Sequence, residues 1–284
     1  MTAAVLNAAP TDLRALAEKA LSRAAAAWLA TALVGQWAFF AYIAAFYGPS
    51  TASGDFEAWN RIAAMGGRPP YVPGDTAGNL AYAAHALGAG VIAFGGALQL
   101  IPQVRARWPR FHRWNGRVFL TTVVALSLSG FYLIWGRDRT PPLFGALSIT
   151  LNGVLILAFA GLALRAVLSR DLAAHRRWAM RLYLVSNAQW FFRVGAIPLF
   201  AISAAFGAKM GLDHPVMLAW APGCYLLPLA VLEIYLRAKA HGGTAGRFMA
   251  AGVVGASTLV MGLGALAFSA FSFFLVSGAP LPKL

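Results

Sequence analysis

The sequence predicts an all-α fold: a seven-span transmembrane helical bundle with its N-terminus inside and its C-terminus outside. Three observations carry this. Sixty per cent of the 284 residues are hydrophobic and only 11% are charged, which leaves too little polar surface to solvate a globular exterior. Apolar runs recur at about residues 28–47, 77–101, 114–136, 143–167, 179–204, 215–237 and 248–277, each near or above the roughly 20 residues that a helix needs to cross a hydrocarbon core. The basic residues gather in alternate gaps. Of the 23 Lys and Arg, 16 fall in the segments that an inside N-terminus places inside.

Residues 1–27 read as an amphipathic segment on the inner surface. Thr11, after Pro10, is placed to cap a helix with Leu13, Leu16, Ala17, Ala20 and Leu21 on one face and Arg14, Lys19 and Arg23 elsewhere. The first apolar run lies behind this polar stretch and is as long as a span, so it reads as a retained anchor and not a cleaved signal. Residues 28–284 form one transmembrane domain, because no gap has the composition of a soluble module. The longest gap, residues 48–76, reads as an outer loop in which Asp55, Phe56, Glu57, Trp59 and Arg61 are able to close one interfacial helical turn.

On the second span, 100° steps from His85 bring Gly88, Gly96 and Gln99 to one face, with Ala81 and Ala89 alongside. Such a face either admits a neighbouring helix backbone or holds a flat ligand against His85. The third span opens on His112-Arg113-Trp114 followed by Arg117, and the fifth on His175-Arg176-Arg177-Trp178 followed by Arg181. This partial repeat puts Trp and Arg where the interface favours them and two histidines at equivalent inner positions. At 1.5 Å per residue, His85, Asn152 of the fourth span and Arg193 of the fifth lie about 12, 14 and 16 Å below the outer boundary. Gln36 and Ser127 or Ser129 fall within a turn of the same plane, and Asn187 and Gln189 continue the polar character of the fifth span inward.

An arginine at that depth costs about 2.5 to 3.5 kcal/mol on insertion scales, so Arg193 is expected to face the bundle interior and a partner. No Asp or Glu shares its depth. Backbone carbonyls with Asn and Gln side chains are one solution; a borrowed haem propionate, quinone oxygen or carboxylate substrate is the other. Glu233, with Arg237 one turn later, reads as an inner-surface ion pair.

The net charge of +14 is accounted for by basic inner loops beside anionic lipids, so membrane lipids and not nucleic acid are the expected partners. One cysteine, Cys224, excludes an internal disulfide and a c-type haem attachment pair. No Gly-rich phosphate loop, catalytic carboxylate pair or nucleophile elbow is present, and the sequence does not decide whether the chain is an enzyme.

His85 with Gln99, His112-Arg113-Trp114-x-Gly116-Arg117, His175-x-x-Trp178-x-x-Arg181 and Arg193 resemble a bacterial family of predicted multi-span membrane proteins without an assigned function. The likeness covers roughly residues 80–200 and implies no activity; the chain as a whole reads as a multi-pass protein of a bacterial inner membrane. A second similarity is to the diheme b-type membrane cytochromes, carried by His85-Ala86-Leu87-Gly88, Gln99, Arg105 and His112-Arg113-Trp114-Asn115-Gly116. It implies b-type haem. The short gap between His85 and His112, and the lack of a second histidine at the depth of His85, reduce that to one haem between His112 and His175. The candidate cofactor-binding residues are therefore His85, Gln99, His112, Asn152, His175 and Arg193, with His112 and His175 as metal ligands. Three roles fit: redox work with haem or quinone, a carrier or sensor of a small molecule or ion using Arg193 and His85, and a non-catalytic accessory or assembly role.

Overall fold

Where water is absent, backbone N–H and C=O groups must satisfy one another within the segment, and long apolar runs then have helix as their available geometry. The computed structural model follows this rule. It describes residues 10–65, 69–137, 142–208 and 210–280, without the side chains of residues 10, 11, 64 and 65. The cap expected of Thr11 and the charges of Arg68, Asp138, Arg139, Lys209 and Lys283 lie outside the described residues. Among those residues every regular element is helical, and seven helices are long and apolar enough to cross a membrane.

Helix α1 spans Pro10–Ser53, and a 3-10 helix over Phe56–Met65 follows. The chain continues through α2 (Thr76–Leu100), α3 (Pro102–Arg107), and α4 (Pro109–Phe131), which ends in a π turn over Tyr132–Gly136. Helices α5 (Leu143–Leu168), α6 (Leu172–Ser186), α7 (Ala188–Ala205), α8 (Pro215–His241) and α9 (Thr244–Ser277) complete it. The gap expected as an outer loop thus holds a helical turn built on Phe56 and Trp59, whose rings meet at 5.0 Å between centroids.

Helix α1 is one rod of 44 residues, about 66 Å long, so residues 10–27 run straight into the first span without a turn. Along this stretch Ala17 and Leu21 are buried, Leu21 against Ala238 of α8 and Ala250 of α9, while Leu13 and Leu16 stay exposed. Glu18 pairs with Arg247 at the start of α9. Helix α9 returns along α1 and also against α7, where Gly264 meets the Val194 carbonyl so closely that a Cβ has no room. The small face of α2 is spent on α4: Leu126 fills the space over Gly88, and Phe119 that over Gly96.

The fifth span is not one helix. It breaks at Asn187 (φ −100°, ψ 15°), between α6 and α7. Asparagine competes with the backbone for its own hydrogen bonds, and here its Nδ2 donates to the Tyr183 carbonyl at 2.7 Å. Its N–H turns to Leu184 O at 3.2 Å, a tightened turn that releases the helical register.

The basic segments meet at one end of the bundle. Both copies of the sequence repeat make the same local pair there: the Arg117 guanidinium lies 4.9 Å from the Trp114 ring centroid, and Arg181 lies 4.8 Å from Trp178. Glu233 takes Arg181 as its partner, through Nε at 2.7 Å and Nη2 at 2.9 Å, and not Arg237 as the i,i+4 spacing suggested. A fork that matches a carboxylate in two bonds outcompetes an intrahelical pair of long, solvated side chains. At the opposite end Arg137 joins α4 to the start of α2, bonding Asp75, the Asn79 side chain and the Pro70 carbonyl.

Candidate intramembrane site

The break at Asn187 withdraws helical partners from the carbonyls before it, and this local failure is what assembles polar side chains inside the bundle. Asn152 reaches across from α5 and donates Nδ2 to Val185 O at 3.0 Å. Beside this junction is a cavity of about 100 Å³, whose lining includes His85, Ser127, Asn152, Asn187, Gln189 and Trp190, with Phe39 on the α1 side. Irregular backbone at membrane depth is tolerated where it lines such a space.

His85 is fixed by α4. Its Nδ1 lies 3.1 Å from Ser129 Oγ, and Ser129 Oγ in turn donates to Leu126 O at 3.1 Å. With the single hydroxyl proton directed there, His85 donates from Nδ1, which leaves Nε2 as the acceptor of the ring. Gly130 sits against the ring, where an added Cβ would meet Cε1 at 3.4 Å. Ser127 turns its hydroxyl to its own Val123 carbonyl at 2.8 Å.

Arg193 lies one turn into α7 from Gln189. Its Nη1 donates to the Gln189 carbonyl at 2.9 Å and to Gln189 Oε1 at 3.3 Å, which is the backbone-and-amide solution expected of it. The guanidinium carbon is 5.5 Å from the Phe39 ring centroid, and the charge is within electrostatic reach of His85, Tyr42, Tyr47 and Tyr82. No carboxylate pairs with it among the described residues, and its Nε is buried without a hydrogen-bond partner. The arrangement is a fixed positive charge, an imidazole acceptor and a set of amides around a small space.

The six sequence-predicted residues fall into two groups. His85 and Asn152 line the cavity, with Arg193 close to it. Gln99, His112 and His175 lie toward the basic end; Gln99 is 14 residues along α2 from His85, about 21 Å, so it cannot serve the same ligand. Gln99 Oε1 packs over Gly116 of α4, and its Nε2 has no partner among the described residues. His175 donates Nδ1 to Ala163 O of α5 at 2.9 Å, whereas His112 Nδ1 is buried without a partner among the described residues. The two histidines are in electrostatic reach of each other. No group of three or more His, Cys, Asp and Glu side chains gathers for a metal among the described residues. A cavity of about 100 Å³ is well below the roughly 300 to 1,000 Å³ of sites for larger organic ligands, so a haem does not fit beside His85.

Sequence reasoning passed over Trp190, Phe39 and Tyr42. A signal for the first was present: Trp190 stands in mid-span, away from the interfacial belts where tryptophan collects, and three residues before Arg193.

Residues 82–231, just over half of the chain, match a family model described as "Predicted membrane protein (DUF2306)". The match runs from α2 into α8 and so takes in His85, Asn152 and Arg193 but not α1. No curated protein and no solved structure gives a significant match, so the likeness to diheme b-type cytochromes gains no support.

Proposed function

The chain belongs to this family of predicted membrane proteins (DUF2306), and on that premise we propose that it is a multi-pass carrier or sensor of a small molecule or ion, held inside the bundle by His85, Asn152 and Arg193. The observation that carries the reading is the cavity at the α6–α7 break, mainly apolar but lined also by His85, Asn152, Asn187 and Gln189, with the Arg193 charge close to it. Discontinuous helices that open a binding space near mid-membrane are a recurrent device of carriers, and an intramembrane ionisable group is a functional candidate by default. At about 30 Å³ per water, the space holds roughly three waters or a solute of a few heavy atoms. In this reading His85 Nε2 accepts a proton or a donor group of the ligand, and Arg193 supplies charge. The excess of Lys and Arg at the basic end supports a bacterial inner membrane with that end toward the cytoplasm.

Uptake into proteoliposomes tests the reading. The full chain is offered labelled formate, acetate, ammonium and urea, and one of them is taken up or bound saturably. Arg193→Gln and His85→Ala each weaken that binding by about tenfold or more, with the unfolding midpoint kept. Failure of every solute in the panel, or variants that match the parent, refutes it.

A further inference from the structure

Among the described residues, five polar atoms of four side chains on α1 and α7 are buried without hydrogen-bond partners: Gln36 Nε2 and Oε1, Tyr42 Oη, Trp190 Nε1 and Arg193 Nε. Gln36, Trp190 and Tyr42 are 0%, 1% and 4% exposed, so bulk water does not reach them. Buried polar atoms in native proteins are almost always satisfied by protein, ordered water or a bound group, and a local concentration of exceptions needs an occupant.

The placement of these side chains is concerted. An added Cβ on Gly35 would meet the nitrogen-bearing edge of Trp190, with Cζ2 at 2.5 Å and Cε2 at 3.4 Å, and Gln36 is the next residue on α1. Arg193 follows Trp190 by one turn of α7, and its guanidinium lies over Phe39, which follows Gln36 by one turn of α1. Phe39 stacks on Tyr42 at 6.0 Å between centroids. Phe39 and Trp190 also line the cavity, so the cluster adjoins it on the α1 side, with Gln36, Tyr42 and Arg193 outside its lining.

The unused groups have one chemical sense. Arg193 Nε, Trp190 Nε1 and Tyr42 Oη each offer a proton and Gln36 Nε2 offers two, against one amide oxygen, and the Arg193 charge has no carboxylate partner among the described residues. A cation is repelled there, and a neutral apolar solute leaves every donor unmet. From this geometry we infer that the ligand is a compact carboxylate or related oxyanion, seated between α1 and α7 on Gln36, Tyr42, Trp190 and Arg193. The inference rests on the carrier or sensor reading and gives that site its ligand class. It also makes α1 half of the site, although Gln36 and Tyr42 precede the family-matched residues. Gln36 Oε1, the one amide acceptor, suits an oxyanion that retains one hydroxyl proton.

The test is a titration of the ¹⁵N-labelled full chain in lipid nanodiscs with sodium formate, against sodium chloride at equal ionic strength. Two signals are read: the Trp190 indole N–H, identified from Trp190→Phe, and the His85 ring nitrogens. The expected result is a saturable formate shift at Trp190, about tenfold weaker or absent with chloride, in Arg193→Gln and in Gln36→Leu. Gln36→Leu keeps volume, and Tyr42→Phe removes one hydroxyl only, so a folded variant remains to be read if either is lost. A response at His85 without one at Trp190 overturns the α1–α7 seat and leaves the cavity reading standing. Responses to ammonium or urea in place of formate, or an equal response to chloride, overturn the oxyanion class alone. If no solute of the panel moves either signal, the carrier or sensor reading falls as well.

Discussion

Asn152→Leu probes the joint that creates the site. In an unbroken helix Val185 O would accept from the N–H of Gln189; at the break it accepts from Asn152 Nδ2 at 3.0 Å, and Val185 is fully buried. Leucine keeps the branched heavy-atom skeleton, with slightly more bulk, and removes the donor, so no cavity term is added. Leaving a buried carbonyl unsatisfied costs about 1 to 3 kcal/mol in water-soluble proteins, but interhelical bonds in membranes average about 0.6 and reach about 1.7 kcal/mol, because the unfolded chain in lipid also finds partners. The expected loss is therefore about 1 kcal/mol, read from SDS unfolding in mixed micelles. Amide hydrogen exchange at residues 188–190 should quicken at the same time, since the start of α7 loses its lateral tie. Asn152→Asp should cost more, because it turns a carboxylate toward the carbonyl. Stability within about 0.3 kcal/mol of the parent, with unchanged exchange, would refute the claim that Asn152 holds the break.

Further perturbations have comparable clarity. Glu233→Gln strands the Arg181 fork; with Arg181 17% and Glu233 35% exposed at the side chain, the loss should be about 1 to 2 kcal/mol, below the 3 to 5 of a fully buried pair, and the double variant with Arg181→Gln should recover most of it. Gly264→Ala pushes a methyl into the Val194 carbonyl and should destabilise the α7–α9 contact by about 1 to 3 kcal/mol by the same SDS titration. Arg61 donates Nη1 to Leu275 O at 2.8 Å and Nη2 to Phe274 O at 3.0 Å, so Arg61→Ala should fray the last turn of α9, visible as faster exchange there at a cost of about 1 kcal/mol.

The spans were legible because a hydrocarbon solvent leaves the chain few options. Their ends match the apolar runs within a few residues, apart from α1, whose helix extends well beyond its run, and the fifth run, which is divided between α6 and α7 and whose helix begins at Leu172. The break at Asn187 was not legible, since a single Asn inside an apolar run is consistent with a helix interior and its effect depends on Asn152 arriving from another helix. Depth along a span follows from residue count, which is why His85 and Asn152 emerge at one level and Gln99 does not. Rotation does not follow from it: whether Gln36 and Tyr42 face Arg193 is decided by how α1 rolls against α7 and α9, and large rings such as Trp190 and Phe39 set that roll. Glu233 was paired by sequence distance with Arg237, whereas tertiary packing offered the better-shaped partner in Arg181.

The most direct measurement of the central claim, that the α6–α7 break encloses a hydrated binding space, is the thiol reactivity of Ser127→Cys. Ser127 is 5% exposed and lines the cavity; Cys224 of α8 is 3% exposed and does not. Methyl methanethiosulfonate reacts with the thiolate, which forms only where water or a polar group supports it. In lipid nanodiscs, Ser127→Cys on a Cys224→Ala background should react about tenfold faster than Cys224 does in the parent, and a saturating bound solute should slow it. A rate no faster than that of Cys224 would mean a dry, sealed joint and would contradict the account.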